Sequence, residues 1–238
     1  MPYFVKRLIC MLAGLAVESF GIALITKSNL GTSPISSIAW VTTLRFPQIS
    51  FGITTFVMNL IFVLIEVTLL RRNFRPVQWL QLAVTFWFSA TLDLSMMILG
   101  WFSPTSWWSQ GVGLLLGTAI LALGICMEVS PALIMVPGEG VVRAFSIVTK
   151  ARFGTVKVCF DVSLIIIAGV LSFLFFGRLN GLGVGTIIAA AITGLIVNLI
   201  NRHARFVGPT DPRKADPATA KAGSETTTGM RQAERKTA

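Results

Sequence analysis

The chain of 238 residues is 54% apolar and only 13% charged, with a mean hydropathy of +0.77, whereas an ordinary soluble domain is about 25% charged. That composition excludes a soluble globular enzyme. From Arg202 onward there are 8 Lys/Arg and 4 Asp/Glu, leaving 12 basic and 6 acidic residues for a body that reads almost entirely as membrane. Cys10, Cys126 and Cys159 lie inside apolar runs and the single His203 has no Cys/His spacing around it, so no disulfide framework, metal site or cofactor is expected.

A bilayer core about 30 Å thick takes roughly 20 apolar residues as a helix, whose backbone satisfies its own hydrogen bonds. The first such run covers about 8–26. It follows Lys6 and Arg7 but is too long for a signal-peptide core and leads to no small-residue cleavage site, so it predicts a retained helix. A weakly apolar segment, 34–44, opens at Ser33-Pro34 and is too short to span. Runs at 51–70 and 77–99 follow, then an aromatic loop from Trp101 to Trp108 with no basic residue, as suits an interfacial belt. A fourth run covers 110–128, a second short segment, 137–149, opens at Val136-Pro137, and the last two runs are 153–176 and 183–201. Proline suits the first helical position, so both short segments predict re-entrant half-helices. The tail 208–238 is rich in Pro, Ala, Thr, Lys and Glu with almost no large apolar residue, which predicts a disordered cytoplasmic segment. Its positive charge suits solubility and weak attraction to anionic lipid heads; with no accompanying fold or aromatic platform, no nucleic-acid partner is expected.

Orientation follows from the basic residues. With six spans and the N-terminus inside, the cytoplasmic flanks collect Lys6, Arg7, Arg71, Arg72, Arg75, Lys150, Arg152, Arg202 and Arg205, against Lys27, Arg45 and Arg178 outside. If the two short segments also crossed, the cluster Arg71, Arg72 and Arg75 would lie outside. Six spans with both termini cytoplasmic is the expected topology.

The two halves, about 8–99 and 110–201, can be laid on one another. Gly21, Leu30 and Pro34 match Gly124, Leu133 and Pro137, and Phe51-Gly52 through Asn59 matches Phe153-Gly154 through Asp161. The third helices align Gln81 with Thr186, Ser89 with Gly194 and Asp93 with Asn198. Three spans per half is odd, so the second half is inverted relative to the first, an arrangement used by many secondary transporters. The expected fold is therefore an all-α polytopic membrane protein of two inverted three-helix repeats, each with a re-entrant half-helix, spanning 1–207. The half-helix N-termini would meet near the midplane, where free amides and the positive dipole end suit an anionic or carbonyl group.

The six acids of the body all lie in or beside apolar segments, where a charge costs about 2.5–3.5 kcal/mol at a helix centre. Glu66, a turn from Arg71 and Arg72, and Glu128, closing a helix, are explained by snorkelling. Asp93, toward one end of its run, reads as interfacial. Glu18 sits near the middle of the first span, where the repeat has Leu121, and is a candidate coupling carboxylate or a protonated group bonded to a neighbouring helix. Lys157 and Asp161 share a helix face where the first half has Thr55 and Asn59. In Pro137-Gly138-Glu139-Gly140-Val-Val-Arg143 an acid occupies the first turn with a base one turn later, placed to pair with it, while the glycines let backbone approach a ligand. Thr32, Ser33, Pro34 and Ser36 are the matching residues of the first half. The candidate solute site thus comprises Thr32, Ser33, Pro34, Ser36, Asn59, Gly138, Glu139, Gly140, Arg143, Lys157 and Asp161, with Glu18 for coupling. Gly183-Val-Gly185-Thr186 lacks the strand context of a phosphate loop and is read as a helix-packing element.

On Gly21, Leu30 through Pro34, Pro137 through Gly140, Phe153-Gly154 through Asp161 and Gly183 through Thr186, the chain resembles the YczE/YyaS/YitT-type bacterial membrane proteins over most of 8–201. The resemblance implies a small multi-pass protein of the bacterial inner membrane and supplies no catalytic residues. The function expected is secondary transport of a small polar or anionic organic solute, the partners being the bilayer, the solute, and either a second copy or another membrane protein. The rivals are a substrate-binding subunit of an energy-coupling-factor importer and a non-transporting regulatory or assembly protein. No Ser/His, paired-Asp or metal constellation supports an intramembrane enzyme.

Overall fold

A computed structural model describes residues 3–71, 76–131 and 133–203. The expected tail, together with Arg72, Arg75 and Arg205, lies outside the described residues. Within them the chain is all helical: α1 (Tyr3–Lys27), α2 (Ser37–Arg45), α3 (Phe51–Leu70), α4 (Gln81–Ile98), α5 (Trp107–Val129), α6 (Pro137–Thr149), α7 (Phe153–Phe176) and α8 (Val184–His203), with 3-10 turns at Pro34–Ser36, Pro76–Leu80 and Leu99–Trp101. Five helices, those containing Val5–Lys27, Phe51–Leu70, Gln78–Trp101, Trp107–Val129 and Phe153–Phe176, are long and apolar enough to cross a membrane, which marks a multi-pass membrane architecture. The sixth expected crossing forms α8, whose described apolar part, Val184–Val197, is shorter than a bilayer core requires.

Local chemistry sets the helix ends. Pro34 opens the turn that leads into α2, and Ser37 Oγ donates back to the Pro34 carbonyl at 2.6 Å. Pro137 likewise occupies the first turn of α6, where its missing N–H leaves nothing unsatisfied. α3 starts on Ser50, whose Oγ accepts from Ile53 N. Asp93 reinforces that start: Ser50 Oγ and Gly52 N each donate to its carboxylate at 2.6 Å, placing a negative charge on the positive end of the helix. The sequence reading of Asp93 as interfacial did not include this capping role. α7 ends on Gly177 at φ 65°, a left-handed cap that costs glycine nothing.

α1 and α5 pack against each other along their whole length and run antiparallel. Glycine permits the close approach: a Cβ on Gly21 would stand 2.7 Å from Leu121 Cα, and one on Gly124 would stand 2.6 Å from Glu18 Cα. α4 packs on α1 and α8 on α5. A second group forms from α2, α3, α6 and α7, with Ile38, Val41, Phe62, Val141, Leu164 and Ala168 as its core. Met58 packs against both groups and sits at their seam. The loop after α1 is tied to the start of α8: Gly185 N donates to the Leu30 carbonyl at 2.9 Å and Thr32 N to Thr186 Oγ1 at 3.2 Å. Gly31, at φ 135°, turns the chain there, which a side chain would oppose.

Candidate functional site

A cavity of about 30 Å³ lies in this seam, room for roughly two waters. The two proline-led starts converge on it, Ile35 and Ser36 from one and Val136, Pro137 and Gly138 from the other. α3 contributes Thr55, Met58, Asn59 and Phe62, α4 contributes Thr85 and Phe88, and α1 contributes Glu18. The wall is mainly apolar with a few polar groups, as small-molecule sites commonly are.

The polar groups are unusual in what they lack. Glu18 is 8% exposed, and its Oε2 has no hydrogen-bond partner among the described residues. Thr55 Oγ1 and Thr85 Oγ1 are buried in the same condition. Buried polar atoms are nearly always hydrogen-bonded, and here three on three different helices border one cavity. Their supply is local: Thr85 belongs to the stripe Gln81, Thr85 and Ser89 on α4, spaced four residues apart and all buried, with Gln81 Oε1 and Ser89 Oγ also unpartnered. Glu128 on α5 faces Glu18 and is 3% exposed. Two carboxyls are thus brought together inside the bundle, and Gly14 makes room for Glu128, since a Cβ there would stand 2.6 Å from Glu128 N.

Of the residues expected at the site, Glu18, Ser36, Asn59 and Gly138 line the cavity, and Pro34 does not. Thr32 and Ser33 do not; Thr32 Oγ1 hydrogen-bonds Thr26 Oγ1 at 2.8 Å, and Ser33 Oγ donates to Ser36 Oγ at 3.1 Å. Gly140 lies beneath Glu66, where a Cβ would meet Glu66 Oε2 at 2.6 Å. Arg143 is exposed and directs Nη1 to Met135 Sδ at 3.8 Å, so the expected pairing with Glu139 is not formed. Lys157 and Asp161 make an ion pair at 2.9 Å on α7, with 31% and 22% of their side chains exposed, away from the cavity wall. Glu139 is half-buried, does not line the cavity, and is close enough to the pair to interact with both charges.

Two readings need correction. Glu66 does not snorkel: it is 2% exposed and accepts from Gln78 Nε2 at 2.7 Å and Gln81 Nε2 at 3.2 Å, because the 3-10 turn at Pro76–Leu80 folds over it. Glu128 does not snorkel either, since α1 covers it. Sequence reasoning missed Thr85 and passed over Thr55 as a site residue; the four-residue polar spacing along α4 was the available signal.

The family of unknown function DUF6198 matches residues 5–202. The chain belongs to that family. No curated protein and no solved structure matches it. The matched span contains every cavity-lining residue of this DUF6198 chain.

Proposed function

We propose that the chain is a secondary transporter of a small polar organic solute in a bacterial inner membrane, bound in the cavity where the segments opened by Pro34 and Pro137 meet, with Glu18 as the coupling carboxylate. The observation that carries this reading is the convergence of two proline-led helix starts on one cavity bordered by three unpartnered buried polar atoms. Such atoms are costly in a resting protein and useful in one that exchanges them for a solute's hydrogen bonds. Of the two solute classes expected, polar and anionic, the lining supports the polar one: no basic side chain borders the cavity among the described residues, Arg143 turns outward, and Lys157 is neutralised by Asp161.

The finer architecture belongs to the same proposal: six spans including α8, α2 and α6 as re-entrant half-helices, both termini cytoplasmic, and two inverted repeats. Contacts that exchange under the swap of halves support the repeats. α1 with α4 corresponds to α5 with α8, α3 with α6 to α7 with α2, and α2 with α3 to α6 with α7. The α1–α5 packing is its own counterpart, with Gly21 against Leu121 mirrored by Gly124 against Glu18, which are the positions the sequence repeat equates. The YczE/YyaS/YitT-type resemblance fits this setting.

Uptake of labelled metabolite pools into proteoliposomes tests the reading. At least one pool is expected to enter above protein-free liposomes and to lose that advantage in Asn59→Leu. Background uptake for every pool would contradict transport. A full set of coupling-factor subunits co-purifying with the chain would instead favour the importer-subunit alternative.

A further inference from the structure

The cavity's chemistry also narrows the solute. We infer that the site takes a small organic ammonium group, with the Glu18 carboxylate as its counter-ion; this rests on the transport reading above. An ammonium offers donors only, and three residues that line the cavity, Glu18, Thr55 and Thr85, each carry a buried, unpartnered oxygen able to accept. A carboxylate or phosphate would meet the opposite situation. It would meet Glu18 on the wall, backed by Glu128, and no basic side chain lines the cavity among the described residues, while Lys157 is held by Asp161. Glu18 and Glu128 bring two buried carboxyls together, and buried negative charge is costly, so a bound cation relieves the pair where an anion would aggravate it.

The rest of the wall suits an organic cation and not a hydrated metal ion. Phe62 and Phe88 border the cavity, and aromatic faces attract alkylammonium groups. Among the described residues no group of three or more His, Cys, Asp or Glu is placed to hold a metal ion. At about 30 Å³ the cavity admits an ammonium head and little more, so a longer solute requires the starts at Pro34 and Pro137 to part.

Thermal stability of the detergent-purified full chain, read with methylammonium, ethylammonium and ethanolamine against acetate, glycerol and sodium at matched ionic strength, tests the assignment. Wild type is expected to melt higher with at least one ammonium probe and to be unmoved by acetate and glycerol. Glu18→Gln, compared with its own ligand-free melting point, is expected to weaken that response by about thirtyfold or more in apparent affinity, the usual consequence of removing one partner of a buried charge pair. Thr85→Val, which removes only a hydroxyl, is expected to weaken it more modestly and serves as the readout if Glu18→Gln does not fold. Equal stabilisation by acetate or glycerol, an undiminished response in both variants, or no response to any ammonium probe would overturn the ammonium assignment. Those outcomes leave transport of another solute standing, whereas background uptake of every pool fails the transport reading itself.

Discussion

Asp93 shows how a side chain's address in the sequence can hide its partner. Its carboxylate accepts from Ser50 Oγ and Gly52 N, so it acts as a charged cap for a helix start 43 and 41 residues away in the chain. Asp93→Ala is expected to destabilise the protein by about 1–2 kcal/mol, and Asp93→Asn by less, since an amide still accepts one bond; thermal melts in detergent check both. Glycines divide by what surrounds them. Gly124→Ala sets a methyl on the backbone of Glu18 and is expected to abolish stable folding, whereas Gly154→Ala, with nothing within 4 Å, is expected to melt like wild type. Gly154 stands in one of the motifs that carry the family resemblance, so the pair separates packing from motif membership. Tolerance at 124 would contradict the packing described for α1 and α5, and loss of stability at 154 would contradict the open space beside that position on α7.

At the scale of elements, the helix limits were legible because apolar runs are interrupted by Pro, Gly and charge. The expected 51–70 and 153–176 coincide with α3 and α7, and both short segments begin at the prolines that announce them. The first turn of the 77–99 run differs: Pro76 opens a 3-10 turn before α4, and that turn carries Gln78 onto Glu66. Burial of Glu66 and Glu128 was not legible, since snorkelling is judged along one helix and burial depends on what crosses it. α6 leans on the Glu66 network through Gly140. Gly140→Ala is therefore expected to displace the Glu66 carboxylate and destabilise the chain, while Glu66→Ala removes the acceptor of two glutamine amide bonds and is expected to cost about 1–3 kcal/mol. Glu66→Gln should cost less than Glu66→Ala; the reverse order would show that the network is not what holds α6.

Over the whole molecule, the swap of halves leaves one pair unmatched: α3 packs on α4, while α7 and α8 scarcely touch. The alignment of Gly21 with Gly124 and of Asn59 with Asp161, on which the proposed repeats rest, carried no hint of this asymmetry, because lateral packing leaves no periodic trace. Six crossings put both termini on one side of the membrane and five put them on opposite sides. Reporter fusions at the N- and C-termini are expected to read cytoplasmic for both, and opposite readings would remove α8 from the membrane. The central claim is that the cavity between the two halves opens alternately to either side. It is tested most directly by Asn59→Cys in a chain whose Cys10, Cys126 and Cys159 are replaced by Ala, probed with a membrane-impermeant thiol reagent in right-side-out and inside-out vesicles. Labelling from both faces is the expected result. Labelling from one face only, or from neither while the protein remains folded, would contradict a cavity that alternates between the two sides.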